Sequence, residues 1–261
     1  MLEIKELQVK YGNQPPFIEH FNLNLKDGEI LSIVGESGSG KSTLIRSIIG
    51  ALPENASVTA DKMEFFGSSL LDNSQEQWRK LRGTDISMIF QDSINSLNPI
   101  RKIGKQFTEY ICTHQKMPKR EAARLAEEML GKMHLAEPAR VMNSYPFQLS
   151  GGMMQRVGIA MAMTFSPKLL LADEPTSALD VTIQAQIVKQ MMELRENDGT
   201  SILIVTHNVG VAAYMSDRMI VMKQGKVVDQ GRTKDVLKCP SGSYTKELLE
   251  AVPDMEGIRY V

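Results

Sequence analysis

Gly35-Glu36-Ser37-Gly38-Ser39-Gly40-Lys41-Ser42, followed by Thr43 and Leu44, is the stretch on which the reading of this chain turns. It fits G-x-x-x-x-G-K-[ST], the phosphate-binding P-loop. Before it, Ile30-Leu31-Ser32-Ile33-Val34 is a short apolar run that reads as a buried strand. After it, from Thr43 to Ala51, Leu44, Ile45, Ile48 and Ile49 fall at helical spacing. Strand, glycine loop and helix therefore come in the order that phosphate binding needs. Glycines let backbone N–H groups wrap an anion without a Cβ in the way. The helix N-terminus adds partial positive charge and Lys41 a full one. The Ser42 hydroxyl suits Mg²⁺. A plain Ser/Gly-rich loop explains Gly38 and Ser39, but not the Lys-Ser ending or the flanking elements. Nucleotide binding is the reading.

Further chemistry lies at strand tips. Leu169 to Glu174 is an apolar strand ending in two carboxylates, and α/β folds bind ligands at such ends. Asp173 is suited to hold Mg²⁺ through water, and Glu174 to accept a proton from a water attacking a terminal phosphate. The bland alternative is a pair of solvated loop-start acids. His207 follows the strand Ser201 to Val205, placed to reach a terminal phosphate, although a lone histidine is commonly structural. Gln91 ends the apolar strand Ile86 to Phe90 and is suited to ligate Mg²⁺ or orient water. Tyr11 closes the first strand and is either an adenine-stacking ring or a half-buried strand tyrosine.

Leu149-Ser150-Gly151-Gly152-Met153, after Tyr145-Pro146-Phe147-Gln148, is a second glycine-bearing helix start. Ser150 with the N–H groups of Gly151 and Gly152 makes another anion-binding end. One triphosphate does not need two such ends from one chain, so this one is read as serving a neighbouring subunit's nucleotide. A simple helix cap at Ser150 is the competing reading.

The whole chain sets bounds. At 261 residues it can bury a large core, as one domain or one domain with an inserted lobe. With 30 basic and 31 acidic residues its net charge is −1, which gives no sign of nucleic-acid binding. Met1-Leu2-Glu3-Ile4-Lys5-Glu6 carries charges where a signal peptide needs an apolar core. No apolar run approaches the roughly 18 residues of a membrane span. Cys112 and Cys239 show no CxxC spacing, which fits a reducing cytoplasm. Of the 17 methionines, Met153, Met154, Met161, Met163, Met191 and Met192 fall in helix-like segments and read as core filling.

Residues 2–11 and 17–25 alternate as two antiparallel strands around a turn at Gly12 to Pro16. From 53 to 85 the sequence reads as irregular, apart from a strand at Lys62 to Phe66. Residues 101 to 165 read as helical, broken at Pro118, Pro138 and Pro146. Arg101 to Lys132 holds eight Lys/Arg against four Glu, a solvated face or a surface for a partner or membrane. A helix from Val181 to Asn197 joins two strands into a βαβ unit. A hairpin at Arg218 to Gln230 turns at Gln224-Gly225, and two short helices near 233–237 and 244–251 finish the chain.

Together these stretches resemble, over nearly the whole chain, the ATP-binding subunit of an ATP-binding cassette (ABC) transporter. Tyr11 matches that family's A-loop, Gly35 to Thr43 its Walker A, and Gln91 its Q-loop. Leu149 to Met153 matches its signature and Leu169 to Glu174 its Walker B strand with the catalytic glutamate. Ser177-Ala178-Leu179-Asp180 matches its D-loop and His207 its switch histidine. Phe90-Gln91-Asp92 with Leu97-Asn98-Pro99, Tyr145-Pro146-Phe147, Met153, and Ser243-Tyr244-Thr245 with Leu248-Leu249 are similar to the peptide/nickel importer branch. Met154 stands where many relatives carry a basic residue. The cysteine-bearing C-terminal extension of many peptide-importer subunits is missing, which leans toward nickel or metal-chelate members.

The resemblance implies a P-loop NTPase α/β core with an antiparallel β layer and an inserted helical lobe. The expected organisation is a single domain over 1–261, its helical subdomain at about 92–165 and a helical tail at about 232–261. ATP and Mg²⁺ would be bound by two cassettes meeting head to tail. The expected partners are a second, homologous ATP-binding subunit, two transmembrane permease subunits and an extracytoplasmic solute-binding protein, at the cytoplasmic face of the membrane. A soluble ABC ATPase of DNA repair or translation is the rival. It would need a long coiled coil between P-loop and signature, or two cassettes in one chain.

Overall fold

The computed structural model describes residues 1–91, 96–177 and 179–250. Asp92, Ala178 and the end of the tail lie outside the described residues. In chain order the strands are β1 (Leu2–Tyr11), β2 (Ile18–Leu25), β3 (Ile30–Val34), β4 (Ala56–Thr59), β5 (Lys62–Phe65), β6 (Ser68–Ser69), β7 (Ile86–Ile89), β8 (Leu169–Asp173), β9 (Ser201–Thr206), β10 (Arg218–Lys223) and β11 (Lys226–Arg232). The helices are α1 (Lys41–Ile48), α2 (Gln75–Leu81), α3 (Ile103–His114), α4 (Lys119–Lys132), α5 (Pro138–Asn143), α6 (Gly151–Met163), α7 (Val181–Asp198), α8 (Val209–Met215), α9 (Thr233–Lys238) and α10 (Ser243–Glu250). The chain forms two compact units, Met1–Trp78 with Ser201–Val261, and Arg79–Thr200.

In the first unit β1 pairs antiparallel with β2, β4 and β5, and β5 with β6. Alternation drives this layer: Leu2, Ile4, Leu7 and Val9 are buried, and so are Phe21, Leu23 and Leu25 on β2. β3 is different. All five of its residues are buried, and it lies between the parallel strands β9 and β10, as a run apolar on both faces should. β11 closes the edge as a hairpin with β10. Its turn has φ of 48° at Gln224 and 78° at Gly225, the paired positive values that match the twist of two strands. α1 begins at Lys41, two residues earlier than the apolar spacing suggested, and buries Leu44, Ile45 and Ile48. α8, α9 and α10 share a cluster of Val34, Val209, Ala212, Met219, Val221, Val236 and Tyr244, with Leu248 and Leu249 packed on it.

In the second unit β7 and β8 pair in parallel and are wholly buried. α3 and α4 pack on each other and bury Phe107, Ile111, Ala122, Ala126 and Leu130. The prolines read as breaks are starts instead. Pro118 immediately precedes α4, Pro138 sits in the first turn of α5, and Pro146 opens a 3₁₀ turn over Pro146–Gln148. A missing N–H costs nothing at a first helical turn. Asp180 caps α7 by accepting from the Ile183 N–H, and Gly199 ends it at φ 70°.

The stretch 53–85 is more ordered than its sequence implied, holding β4, β6 and α2. β4 has no fully buried residue and β6 is exposed, so neither carries an apolar pattern. α2 buries only Trp78. β7 ends at Ile89, which leaves Phe90 and Gln91 beyond the strand. Among the described residues no helix is long and apolar enough to cross a membrane.

Candidate nucleotide-binding site

In the first unit the phosphate loop is held from outside. Register places Val34 opposite Thr206 on β9 and Val221 on β10, so Gly35 and His207 leave the sheet at one edge, where β10 runs on through Met222 to Lys223. Gly35 has φ 154°, and a Cβ there would stand 2.2 Å from the Met222 carbonyl oxygen. Only glycine fits that approach. The Gly225 N–H donates to the Ser39 carbonyl at 2.9 Å, so the hairpin tip grips the loop. The Glu36 N–H donates to the Tyr244 hydroxyl of α10 at 3.1 Å. The Lys223 ammonium lies 4.2 Å from the centre of that tyrosine ring, a cation–π contact that seats it.

Within the loop, Gly38 and Gly40 turn at φ 81° and 103°, and no side chain caps α1. Alternating backbone of this kind, running into a helix N-terminus, forms a nest of N–H groups that fits a phosphate. Lys41 is buried, its Nζ donating to the Gly35 and Glu36 carbonyls at 2.7 and 2.8 Å. Ser42 and Thr43 are half-buried in the first turn of α1. Glu36, Ser37 and Gly38 face solvent. Tyr11 is half-buried, and its hydroxyl lies 3.1 Å from the Thr43 hydroxyl. Phe17 meets its ring edge-on, centroids 6.2 Å apart. His207 is exposed just beyond β9, and Asn208 caps α8 by accepting from the Val211 N–H.

In the second unit Asp173 and Glu174 are 0% and 7% exposed, so the reading as solvated acids does not hold. Glu174 has φ 49°, a left-handed conformation that costs a residue with a Cβ of the order of 1 kcal/mol or more. It is held there. The Ser177 N–H and hydroxyl both donate to the Glu174 carbonyl, at 3.2 and 3.1 Å. Gln91 is an exposed turn residue. Ser150 is exposed and caps α6, its Oγ accepting from the Met153 N–H at 3.3 Å. The capping role is therefore real, and Gly151 and Gly152 remain half-buried behind it. Oxygen donors of the Ser42, Asp173 and Gln91 type fit Mg²⁺ by chemistry.

Each unit thus gathers its own part of the expected set: Tyr11, the loop and His207 in the first, Gln91, Ser150, Asp173 and Glu174 in the second. The sequence reading missed three contributors. Tyr244 appeared only as part of a branch motif, and Phe17 not at all. Gln155, 4% exposed, donates its amide to the Pro175 carbonyl at 3.1 Å. A lone glutamine in the apolar α6 was the available signal, because buried amides are partnered.

The chain has relatives among known proteins. The sequence profile of the ABC transporter family matches residues 18–177. A probable peptide ABC transporter ATP-binding protein of Sinorhizobium fredii, y4tR, is 42% identical over 258 residues, covering 97% of this chain and 77% of that protein. The oligopeptide transport ATP-binding protein OppD of Bacillus subtilis is 42% identical over 260 residues, 98% of this chain and 73% of its own. The dipeptide transport ATP-binding protein DppD of Escherichia coli is 41% identical over 257 residues, covering 97% and 79%. Among solved structures, the ATP-binding cassette MJ0796, dimeric and bound to ADP and Pi, superposes with a TM-score of 0.76 at 32% identity, covering 89% of this chain and 99% of that one. With its phosphate loop built, its carboxylates buried at a strand tip and these likenesses spanning nearly its whole length, the chain belongs to the ABC transporter family.

Proposed function

We propose that this chain is the ATP-hydrolysing subunit of an importer of peptides. The observation that carries the reading is the burial of Glu174 at the tip of an apolar strand, in a chain that also carries a built phosphate loop. Relatives that match nearly the whole of this chain are named for peptide transport, which weighs for peptides over the nickel or metal-chelate solutes and against a soluble repair or translation ATPase.

In this reading Tyr11 packs the adenine of ATP, and the N–H groups of residues 36–43 hold its phosphates. Lys41 exchanges its loop carbonyls for phosphate oxygens. Ser42, Asp173 and Gln91 would hold Mg²⁺, which when bound neutralises charge between the outer phosphates. Glu174 takes the proton of the attacking water, and His207 hydrogen-bonds the terminal phosphate. Ser150, exposed at the start of α6, would close on a partner cassette's ATP together with the N–H groups of Gly151 and Gly152. The solved MJ0796 cassette is a dimer by its description, and we assign this chain a homologous, non-identical partner. Association and release of the pair would move two permease subunits at the cytoplasmic face, fed by a solute-binding protein outside.

A surface in the second unit suits the permeases. Ile100 and Phe147 are 81% and 71% exposed. The Ile103 N–H donates to the Ser144 carbonyl at 2.9 Å, which ties the two loops that carry them. Tyr145 stacks on Phe147 with centroids 5.4 Å apart.

Two substitutions and two binding experiments test the reading. Tyr11→Ala should weaken ATP binding, and unchanged affinity removes Tyr11 from it. Ser150→Ala should stop turnover of the assembled pair while this chain's own P-loop still binds ATP; loss of that binding counts against action on a partner. Co-purification should bring two integral membrane proteins, where ribosomes or DNA would favour the rivals. Peptides, rather than Ni²⁺ complexes, should bind the associated solute-binding protein.

A further inference from the structure

α6 is apolar along its buried side except at Gln155, which is 4% exposed and lies in the turn after Ser150. A buried amide needs a partner, and this one reaches across to the loop that follows β8. Its Nε2–H donates to the carbonyl oxygen of Pro175 at 3.1 Å. Pro175 is the residue after Glu174, which sits at φ 49°. Ser177 holds the peptide on the carbonyl side of Glu174, and Gln155 holds the next one.

Two more contacts make the helix start and this loop one body. A Cβ on Gly152 would stand 3.3 Å from Leu179 Cδ2, so the backbone of α6 lies directly against the loop. Arg156 donates from Nε to the Gly152 carbonyl at 3.3 Å and from a terminal nitrogen to the His134 carbonyl at 3.0 Å. The first turn of α6 is thereby fixed to the turn that follows α4 while its second turn holds the loop. A shift of the Ser150 end therefore moves Pro175, and with it the strained backbone of Glu174.

We infer that Gln155 is a positioning residue for hydrolysis, which aims Glu174 and ties its position to what Ser150 engages. This rests on the roles proposed above for Glu174 and Ser150. It makes the two ATP sites of a cassette pair mechanically dependent within one chain. Ser150 senses the partner's nucleotide and Glu174 acts on the chain's own. A Gln155 that merely satisfied the core would stabilise the fold without setting turnover.

The test uses the full-length chain with the subunits that co-purify, Mg²⁺ and ATP. Gln155→Met keeps the volume and removes the donor. It should lower kcat by about tenfold or more while KM for ATP stays within about twofold, with an unchanged melting midpoint. Gln155→Glu presents an acceptor to the Pro175 carbonyl when ionised and a donor when protonated, so its kcat should recover as pH falls. Wild-type kcat in Gln155→Met overturns the inference, as does a fall in kcat matched by a fall in folded protein. If Gln155→Met does not fold, a pH-independent, wild-type kcat in Gln155→Glu overturns it. Glu174→Gln is the control. Full turnover there brings down the functional reading itself, whereas loss there beside a normal Gln155→Met brings down only this inference.

Discussion

The two loops to which the proposed function assigns the chemistry are built in opposite ways. The phosphate loop is rich in glycine and would be floppy alone, yet its backbone is gripped by neighbours at Gly35, Glu36 and Ser39. The loop after β8 has no glycine between Asp173 and Asp180. It keeps a strained Glu174 in place with hydrogen bonds from Ser177 and Gln155. Permissive backbone needs many outside contacts to become rigid. Strained backbone needs fewer, but each is critical. Damage to the first loop should therefore appear as lost binding and stability, and damage to the second as lost rate.

The largest effect that tests this contrast is at Glu174. Glu174→Gln keeps shape and burial while removing the base proposed above, and should cut turnover by about 10²–10⁴-fold with ATP still bound; single-turnover hydrolysis and nucleotide retention measure both. Gly35→Ala follows. Its Cβ would collide with the Met222 carbonyl, at a cost of about 3 kcal/mol from clash and φ strain together. Urea unfolding should show that loss, and ATP binding should fall with it. If Gly35→Ala unfolds normally and loses only rate, the contrast between the loops is wrong.

Tyr244→Phe is milder. It leaves the ring under Lys223 but takes the acceptor from the Glu36 N–H. KM for ATP should rise about fivefold with kcat nearly unchanged, the mark of a lost hydrogen bond worth about 1 kcal/mol. The smallest effect lies away from both loops. Burial pushes the Tyr110 hydroxyl up to about 12, partly opposed by a hydrogen bond with Ser87. Its folded value is raised, so the stabilisation is complete below pH 10 and is lost as pH rises toward 12. Denaturant midpoints at pH 9 and 11 should converge for Tyr110→Phe relative to the unmodified chain.

Much of the fold was legible because its signals are local. The apolar run Ile30 to Val34, the alternation of β2 and the Gln224-Gly225 turn each declare themselves within a few residues. β4, β6 and α2 were missed for the converse reason: they bury little and carry no period. The site divides along the same line. Lys41, Asp173 and Glu174 could be picked out from neighbours in sequence. The Tyr244 contact with Glu36 joins residues 208 apart, and no short window contains it. Gln155 was visible as an oddity in an apolar helix, but its partner 20 residues on was not.

The division of the first unit between Met1–Trp78 and the segment from Ser201 onward has a consequence for biosynthesis. Domains fold as their residues leave the ribosome, N-terminal parts first. The phosphate loop is made early, but β9 and β10, which flank its strand, emerge only after the whole intervening unit. Tyr244 comes later still. The nascent chain therefore cannot hold nucleotide firmly until residues through Tyr244 have emerged, and the second unit can settle before the first is complete. A truncated product ending before Ser201 would carry the glycine loop in full and still lack the frame that shapes it.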